Sequence, residues 1–281
     1  MSKSEGSRFH KNPVITICSG KGGTGKTTVV RTLVDMFGDE FRIAVIDGAL
    51  GLSGISSVYG VIPEASKSYQ CFLGGSRPAS DFIEKVENIN LIPSHFSGSA
   101  ADFGIERDFH RVDELIAYLS RDNDLVIIDS ASGLDLGLYE YLSISDIVLI
   151  VVTTDPQSIT DGYSIAKLCM SVTPHPITSF FLNMIESEVN FHEFNTKMTL
   201  LSRKFLFKEL RALGYMKFDK PFMKSPGETE FRSMLGNDNR NNLESFKEKL
   251  TELIGSNRIP DSNWNEQLNR EFEMKSYRDL K

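Results

Sequence analysis

Val14–Thr28 reads VITICSGKGGTGKTT. A short β-branched run, a turn with four glycines in six residues, and the opening of a helix follow one another without a gap. The turn, Gly20-Lys21-Gly22-Gly23-Thr24-Gly25-Lys26-Thr27, fits the spacing G-x-x-x-x-G-K-[ST]. Its glycines let the backbone curl so that N–H groups point inward at phosphate oxygens, and the helix that follows presents its positive N-terminus to the same anion. Lys26 is placed to neutralise β/γ-phosphate charge, and the Thr27 hydroxyl to ligate Mg²⁺. The expected nucleotide contacts are Gly20, Gly22, Gly23, Thr24, Gly25, Lys26, Thr27 and Thr28. Four glycines would be a costly way to make an ordinary turn.

Working outward, five more short apolar runs recur: Ile43–Ile46, Ile89–Ile92, Leu125–Ile128, Ile147–Val152 and Ile177–Leu182. The third and fourth of these are apolar throughout, as strands buried on both faces of a parallel sheet should be. Helix-like stretches lie between and after them, at Lys26–Phe37, Asp108–Ser120, Ser158–Met170, Leu200–Leu213 and Asn242–Ile254. Alternation of this kind predicts an α/β fold, a doubly wound, mostly parallel sheet flanked by helices. Gly236–Asn242, GNDNRNN, reads as an exposed loop. The expected organisation is a flexible segment over 1–12, one ATPase domain over 13–255, and a tail over 256–281. In the tail, Trp264, Leu268 and Phe272 recur at a spacing of four, which predicts a helix.

The chain has 281 residues, ordinary globular composition and a formal charge of -7, so bulk charge gives no attraction to nucleic acid or anionic lipid. Cys18, Cys71 and Cys169 form no C-x-x-C pair, which supports neither a disulfide framework nor a thiolate zinc site. MSKSEGSRFHKNP holds no apolar h-region, and the longest apolar run is six residues, against the roughly 20 of a spanning helix. The expected setting is the cytoplasm, with peripheral association at a membrane or cell pole as an option.

SGKGGTGKTT, with Lys21 inside the loop, resembles the deviant Walker A motif of the MinD/ParA ATPases. In that family the extra lysine reaches the nucleotide of a second subunit, so the resemblance implies that Lys21 acts in trans in an ATP-dependent homodimer. Asp124–Gly133, DLVIIDSASG, resembles the family's Walker B strand. An apolar run there delivers Asp129 to the carboxyl edge of the sheet, where ligands of open α/β folds bind, and a carboxylate in that place can hold Mg²⁺ through water. Asn183, in FLNMI, matches the asparagine that contacts adenine in the family; a plain turn residue after a strand is the alternative. Three stretches resemble the FlhG/FleN branch, bacterial regulators of flagellar number and placement: DGALGLSGIS at Asp47–Ser56, TTDPQSITDGY at Thr153–Tyr163 and LGYMKFDKPF at Leu213–Phe222. Within the second, Ser158 or Thr160 could cap the following helix.

The branch's D-x-D pattern places a first carboxylate to support Mg²⁺ and a second to position the attacking water. Asp47 stands in the first place and Ala49 in the second, with Gly51 and Leu52 fixing the register. A methyl can neither orient water nor relieve it of a proton, so the expectation is ATP–Mg²⁺ binding with impaired hydrolysis. Ala49 is read either as an engineered replacement that traps the ATP-bound dimer or as the natural residue of a nucleotide-locked pseudoATPase.

Lys197–Lys224 holds eight basic residues and two acidic ones. Leu206, Leu210 and Leu213 would form the buried stripe of its helix, leaving Arg203, Lys204, Lys208 and Arg211 to face a membrane surface, nonspecific DNA or simply water. His95 and His110 lack ligand spacing and read as structural. The expected function is a dimerising ATP switch for flagellar number or polar placement, working through a protein partner of the polar or flagellar machinery. The alternatives are a segregation or positioning ATPase acting on DNA or membrane, and a non-hydrolysing adaptor.

Overall fold

A computed structural model describes residues 12–49, 54–95, 110–134, 136–218 and 237–256. Eight strands form one sheet: β1 (Val14–Ser19), β2 (Ile43–Gly48), β3 (Glu84–Val86), β4 (Ile89–Ile92), β5 (Leu125–Ser132), β6 (Ile147–Val152), β7 (Ile177–Ile185) and β8 (Ala212–Lys217), in the order β3-β4-β2-β5-β1-β6-β7-β8. Every pairing is parallel except that of β3 with β4. The six runs read from the sequence all become strands. β3 and β8 are additions at the two edges.

The helices are α1 (Lys26–Phe37), α2 (Ile55–Val58), α3 (Tyr69–Gly74), α4 (His110–Leu119), α5 (Leu136–Ile144), α6 (Pro156–Cys169), α7 (Glu188–Leu206) and α8 (Asn237–Ser256). Alternate side chains of the central strands feed opposite faces, as the pleat requires. Ile15 and Ile17 pack with Val29, Leu33 and Phe37 of α1 and with Phe246 and Leu250 of α8. Cys18, Val148 and Ile150 face Leu142 of α5, Ile165 of α6 and Phe194 of α7, while Val14, Ile46 and Ile128 meet Phe72 of α3 and Leu115 of α4. The result is a three-layer α/β domain. The chain runs from β1 past β5 to β2 and later places β6 on the other side of β1, so the winding reverses at β1. In open α/β sheets that point, at the carboxyl ends of the strands, is where ligands bind.

Two expectations are corrected. Leu200–Leu213 is not one helix. α7 ends at Leu206, Phe207 turns the chain with φ 52, and the Leu210 N–H donates to Ser202 Oγ. Leu210 and Leu213 are buried, but in opposite cores; they straddle an edge strand instead of striping a helix. Gly236–Asn242 is not a loop over its described part, because α8 begins at Asn237. Asn239 is buried and clamps the end of β8: its Oδ1 accepts from the Lys217 N–H and its Nδ2 donates to the Lys217 carbonyl. The tail over 257–281, the segment over 1–11, Gly51, Leu52, Lys220, Lys224 and the side chain of His110 lie outside the described residues.

Candidate functional site

The loop between β1 and α1 sits at the carboxyl edge of the sheet. Gly23 and Gly25 carry left-handed backbones, φ 79 and 83, which glycine adopts without steric cost. No side chain caps the N-terminus of α1, because its N-cap is Gly25. Apart from its chain neighbours, no atom of the described residues lies within 4 Å of where a Cβ on Gly23 would sit, and among them only Ser132 Oγ comes that near for Gly22. Gly22 and Gly23 therefore leave open, solvent-facing space next to the uncapped N–H groups of α1, the arrangement an anion needs. Gly20 is packed tightly against Asp161 of α6, and the Thr28 carbonyl accepts from Thr32 Oγ1 inside α1.

Lys26 is buried and its Nζ donates to Ser132 Oγ at 2.6 Å. Burial lowers its pKa, against the opposing pull of Asp129; a polyanion at the loop would restore the balance. Thr27 Oγ1 donates to Asp129 Oδ2 at 2.8 Å and the Ile55 N–H also favours this carboxylate, while Asp129 Oδ1 and Thr24 Oγ1 are buried without a well-formed hydrogen bond among the described residues. Unmatched buried oxygens of this kind cost free energy unless something meets them. A hydroxyl and a carboxylate side by side, one oxygen open, are the hard oxygen donors that suit Mg²⁺, which takes one or two protein ligands and completes its shell with phosphate and water. The residues present thus fit a nucleotide with its metal. No cluster of three or more His, Cys, Asp or Glu occurs among the described residues, and an Mg²⁺–phosphate site requires none.

Asp47 and Asp129 are direct partners in the β2–β5 register, and both are fully buried. Burial first, and then the Asp47 charge, pushes the Asp129 pKa up to about 7, against the Thr27 hydrogen bond and Lys26. Asp47 is also raised by burial, although the Ser56 hydroxyl, the Ser56 N–H and the Ala49 N–H all donate to it. Ala49 is buried at the exit of β2, 8% exposed, so a methyl fills the place expected of a carboxylate.

Lys21 does not turn into its own loop. Its half-exposed Nζ pairs with Asp155 Oδ2 at 2.5 Å, and that bond holds the Asp155 carboxyl below its usual range. Asp155 is also the N-cap of α6, accepting from the Gln157 N–H. The capping residue is thus neither Ser158 nor Thr160: Ser158 Oγ accepts from the Thr153 N–H and Thr160 Oγ1 donates to the Pro156 carbonyl. Asn183 is buried, and its Nδ2 donates to the Thr24 carbonyl at 2.9 Å, so it braces the loop backbone. Of the two histidines, His95 bonds the Pro63 carbonyl through Nδ1, as a structural residue does. Arg203 and Arg211 share the buried carboxylate of Glu209. Lys208 is largely covered, and burial lowers its pKa.

Ser56, Ser132 and Asp155 join the site without having been read from the sequence. Ser132 was the most accessible of the three, three residues beyond Asp129 on the same strand. Asp155 and Ser56 become neighbours only when β6 and α2 are placed.

Residues 12–174 match the profile of the AAA domain family AAA_31. Antiactivator FleN of Pseudomonas aeruginosa is 27% identical over 234 residues, covering 77% of this chain and 78% of FleN. The flagellum site-determining protein YlxH of Helicobacter pylori is 30% identical over 158 residues, covering 55% of this chain and 52% of YlxH. The septum site-determining protein MinD of Pyrococcus horikoshii, solved with Mg-ADP, superposes with a TM-score of 0.69 at 21% identity, over 88% of this chain and all of MinD; at that identity the likeness is one of fold. With the loop, the Asp129 strand and the winding all in place, this chain belongs to the AAA domain family AAA_31, the P-loop ATPases of MinD/ParA type.

Proposed function

We propose that the chain binds ATP–Mg²⁺, pairs with a second copy through the nucleotide, and regulates flagellar number or polar placement while turning ATP over slowly. One observation carries the nucleotide half of this reading. The metal-side pair Thr27–Asp129 is assembled with one carboxylate oxygen left open among the described residues, yet Ala49, two residues past Asp47 at the exit of β2, offers only a methyl. The flagellar half is supported by the names of FleN and YlxH.

When bound, Mg²⁺ draws charge from the β- and γ-phosphate oxygens. The rest belongs to the chain. Lys26 exchanges Ser132 Oγ for phosphate, the α1 N-terminus and loop N–H groups hold the remaining oxygens, and Ser56 holds Asp47 in place. Nothing at position 49 orients or deprotonates a water, and loss of one such group costs about 10²–10⁴ in rate.

Steady-state phosphate release by this chain and by Ala49→Asp tests the reading. We expect slow release by the first and a gain of roughly 10²–10⁴ in the second. Vigorous turnover by the alanine form would overturn it.

A further inference from the structure

Three serines stand at the carboxyl ends of the neighbouring strands β1 and β5. Two have their hydroxyls tied to the backbone: Ser19 Oγ donates to the Lys21 carbonyl and Ser130 Oγ to the Ala131 carbonyl. Ser132, the last residue of β5, is different. It is exposed, its Oγ accepts from Lys26 Nζ at 2.6 Å, and among the described residues its own proton goes to no acceptor. The same oxygen lies 4.0 Å from where a Cβ on Gly22 would sit. Ser132 therefore leans over the mouth of the loop, between the open side at Gly22 and the buried lysine.

The Gly133 N–H, next along the chain, is already taken, because it donates to the Ser19 carbonyl at 2.9 Å. Of the residues that follow Asp129 on β5, Ser132 is the one with a free side-chain donor. Lys26 rests on a neutral hydroxyl, and phosphate, which carries the charge a hydroxyl lacks, displaces that partner readily. In loops of this spacing the backbone N–H groups cradle the α- and β-phosphates and the lysine reaches the β- and γ-phosphates. Ser132 comes from outside the loop, on the strand of the metal-side Asp129, and the metal of such sites bridges β- and γ-oxygens. The third phosphate is thus the one that comes within its reach.

We propose that Ser132 is the residue by which this chain tells a nucleoside triphosphate from a diphosphate. Its hydroxyl rests Lys26 in the empty site and, once Lys26 has turned to phosphate, donates to an oxygen of the third phosphate. A diphosphate draws Lys26 away as well but leaves the hydroxyl to water. The inference rests on the nucleotide reading above and adds to it the choice between the two ligands.

Calorimetric titration of the full chain with Mg²⁺, by ADP and by the non-hydrolysable ATP analogue with an imido β–γ bridge, tests it. The readout is the ratio of the two dissociation constants. Ser132→Ala should lower the preference for the triphosphate roughly tenfold or more, as loss of a hydrogen bond to a charged group does. Ser132→Thr keeps the hydroxyl on an exposed residue and should retain the preference. Thermal midpoints should follow, since bound ligand stabilises the folded chain according to its affinity: Ser132→Ala should lose stabilisation by the analogue and keep that by ADP. A mere rest for Lys26 would move both ligands together, and an unchanged ratio in Ser132→Ala would overturn the proposal. So would a ratio in Ser132→Thr as low as that in Ser132→Ala. A parent chain that binds both ligands while Ser132→Ala keeps its ratio removes the role of Ser132 alone; a parent that binds neither removes the nucleotide reading with it.

Discussion

Asp129 is fully buried one strand away from the equally buried Asp47, and its burial first, then that neighbouring charge, make the nucleotide-free protein sensitive to pH. The Asp129 pKa rises from 3.8 to about 7 on folding, so the folded state holds the proton more tightly than the unfolded chain. Stability from this group is complete below the unfolded value and is lost as pH climbs toward about 7. Asp47, raised by burial, acts in the same direction. Thermal midpoints of the nucleotide-free chain should therefore fall with rising pH across that window, and Asp129→Asn should flatten the fall. An unchanged slope in the variant would show that Asp129 does not carry it. A second prediction concerns Gly25. A Cβ there would collide with Asn183 Nδ2 on a backbone at φ 83, so Gly25→Ala should cost about 1–3 kcal/mol in chemical denaturation. The glycines, Lys26, Thr27 and Asp129 were legible in the sequence because a phosphate loop constrains spacing along the chain. Ser132 and Ser56 were not, because their partners, Lys26 and Asp47, come from other elements and no fixed interval ties them together.

Among the elements, the strands with two buried faces were the most readable. β6, IVLIVV, has no exposed side chain, and a run of that kind admits few other readings. Edge and end elements were harder. β8 carries ALGYMK, whose glycine and lysine dilute the pattern, and its leucine neighbours happen to fall at helical intervals. The polar start of α8 has the composition of a loop, yet tertiary bonds override its propensity. Asn239 supplies two of those bonds, to the N–H and the carbonyl of Lys217, and no local rule predicts a partner 22 residues away. Asn239→Ala leaves both Lys217 groups short of a partner and should cost about 1–3 kcal/mol. Hydrogen exchange should show it as faster opening of α8 and β8, with the β1–β5 pair unaffected. Uniform loosening of the whole sheet would mean that the clamp is not local.

At the scale of the whole molecule, the parallel sheet gathers the chemistry at one end, with the phosphate loop, Asp129 and Ser132 at its carboxyl edge. The nucleotide-dependent pairing proposed above would use the carboxyl edge, where Lys21 stands. In the single chain Lys21 is bound to Asp155, and under that proposal it would have to leave the carboxylate before reaching a neighbour. The cost is small, since exposed ion pairs contribute about 0–1 kcal/mol. Asp155→Asn removes the charge and keeps a good helix cap for α6. With ATP its dimerisation constant should tighten by up to about fivefold while the thermal midpoint stays put. Lys21→Ala should keep nucleotide binding, which rests on Lys26 and the loop, and lose the pair. Mass in solution without nucleotide, with ADP and with ATP reads all three proteins. A parent chain that stays monomeric throughout would remove the switch, and a weaker dimer in Asp155→Asn would place Asp155 inside the paired interface instead of in competition with it.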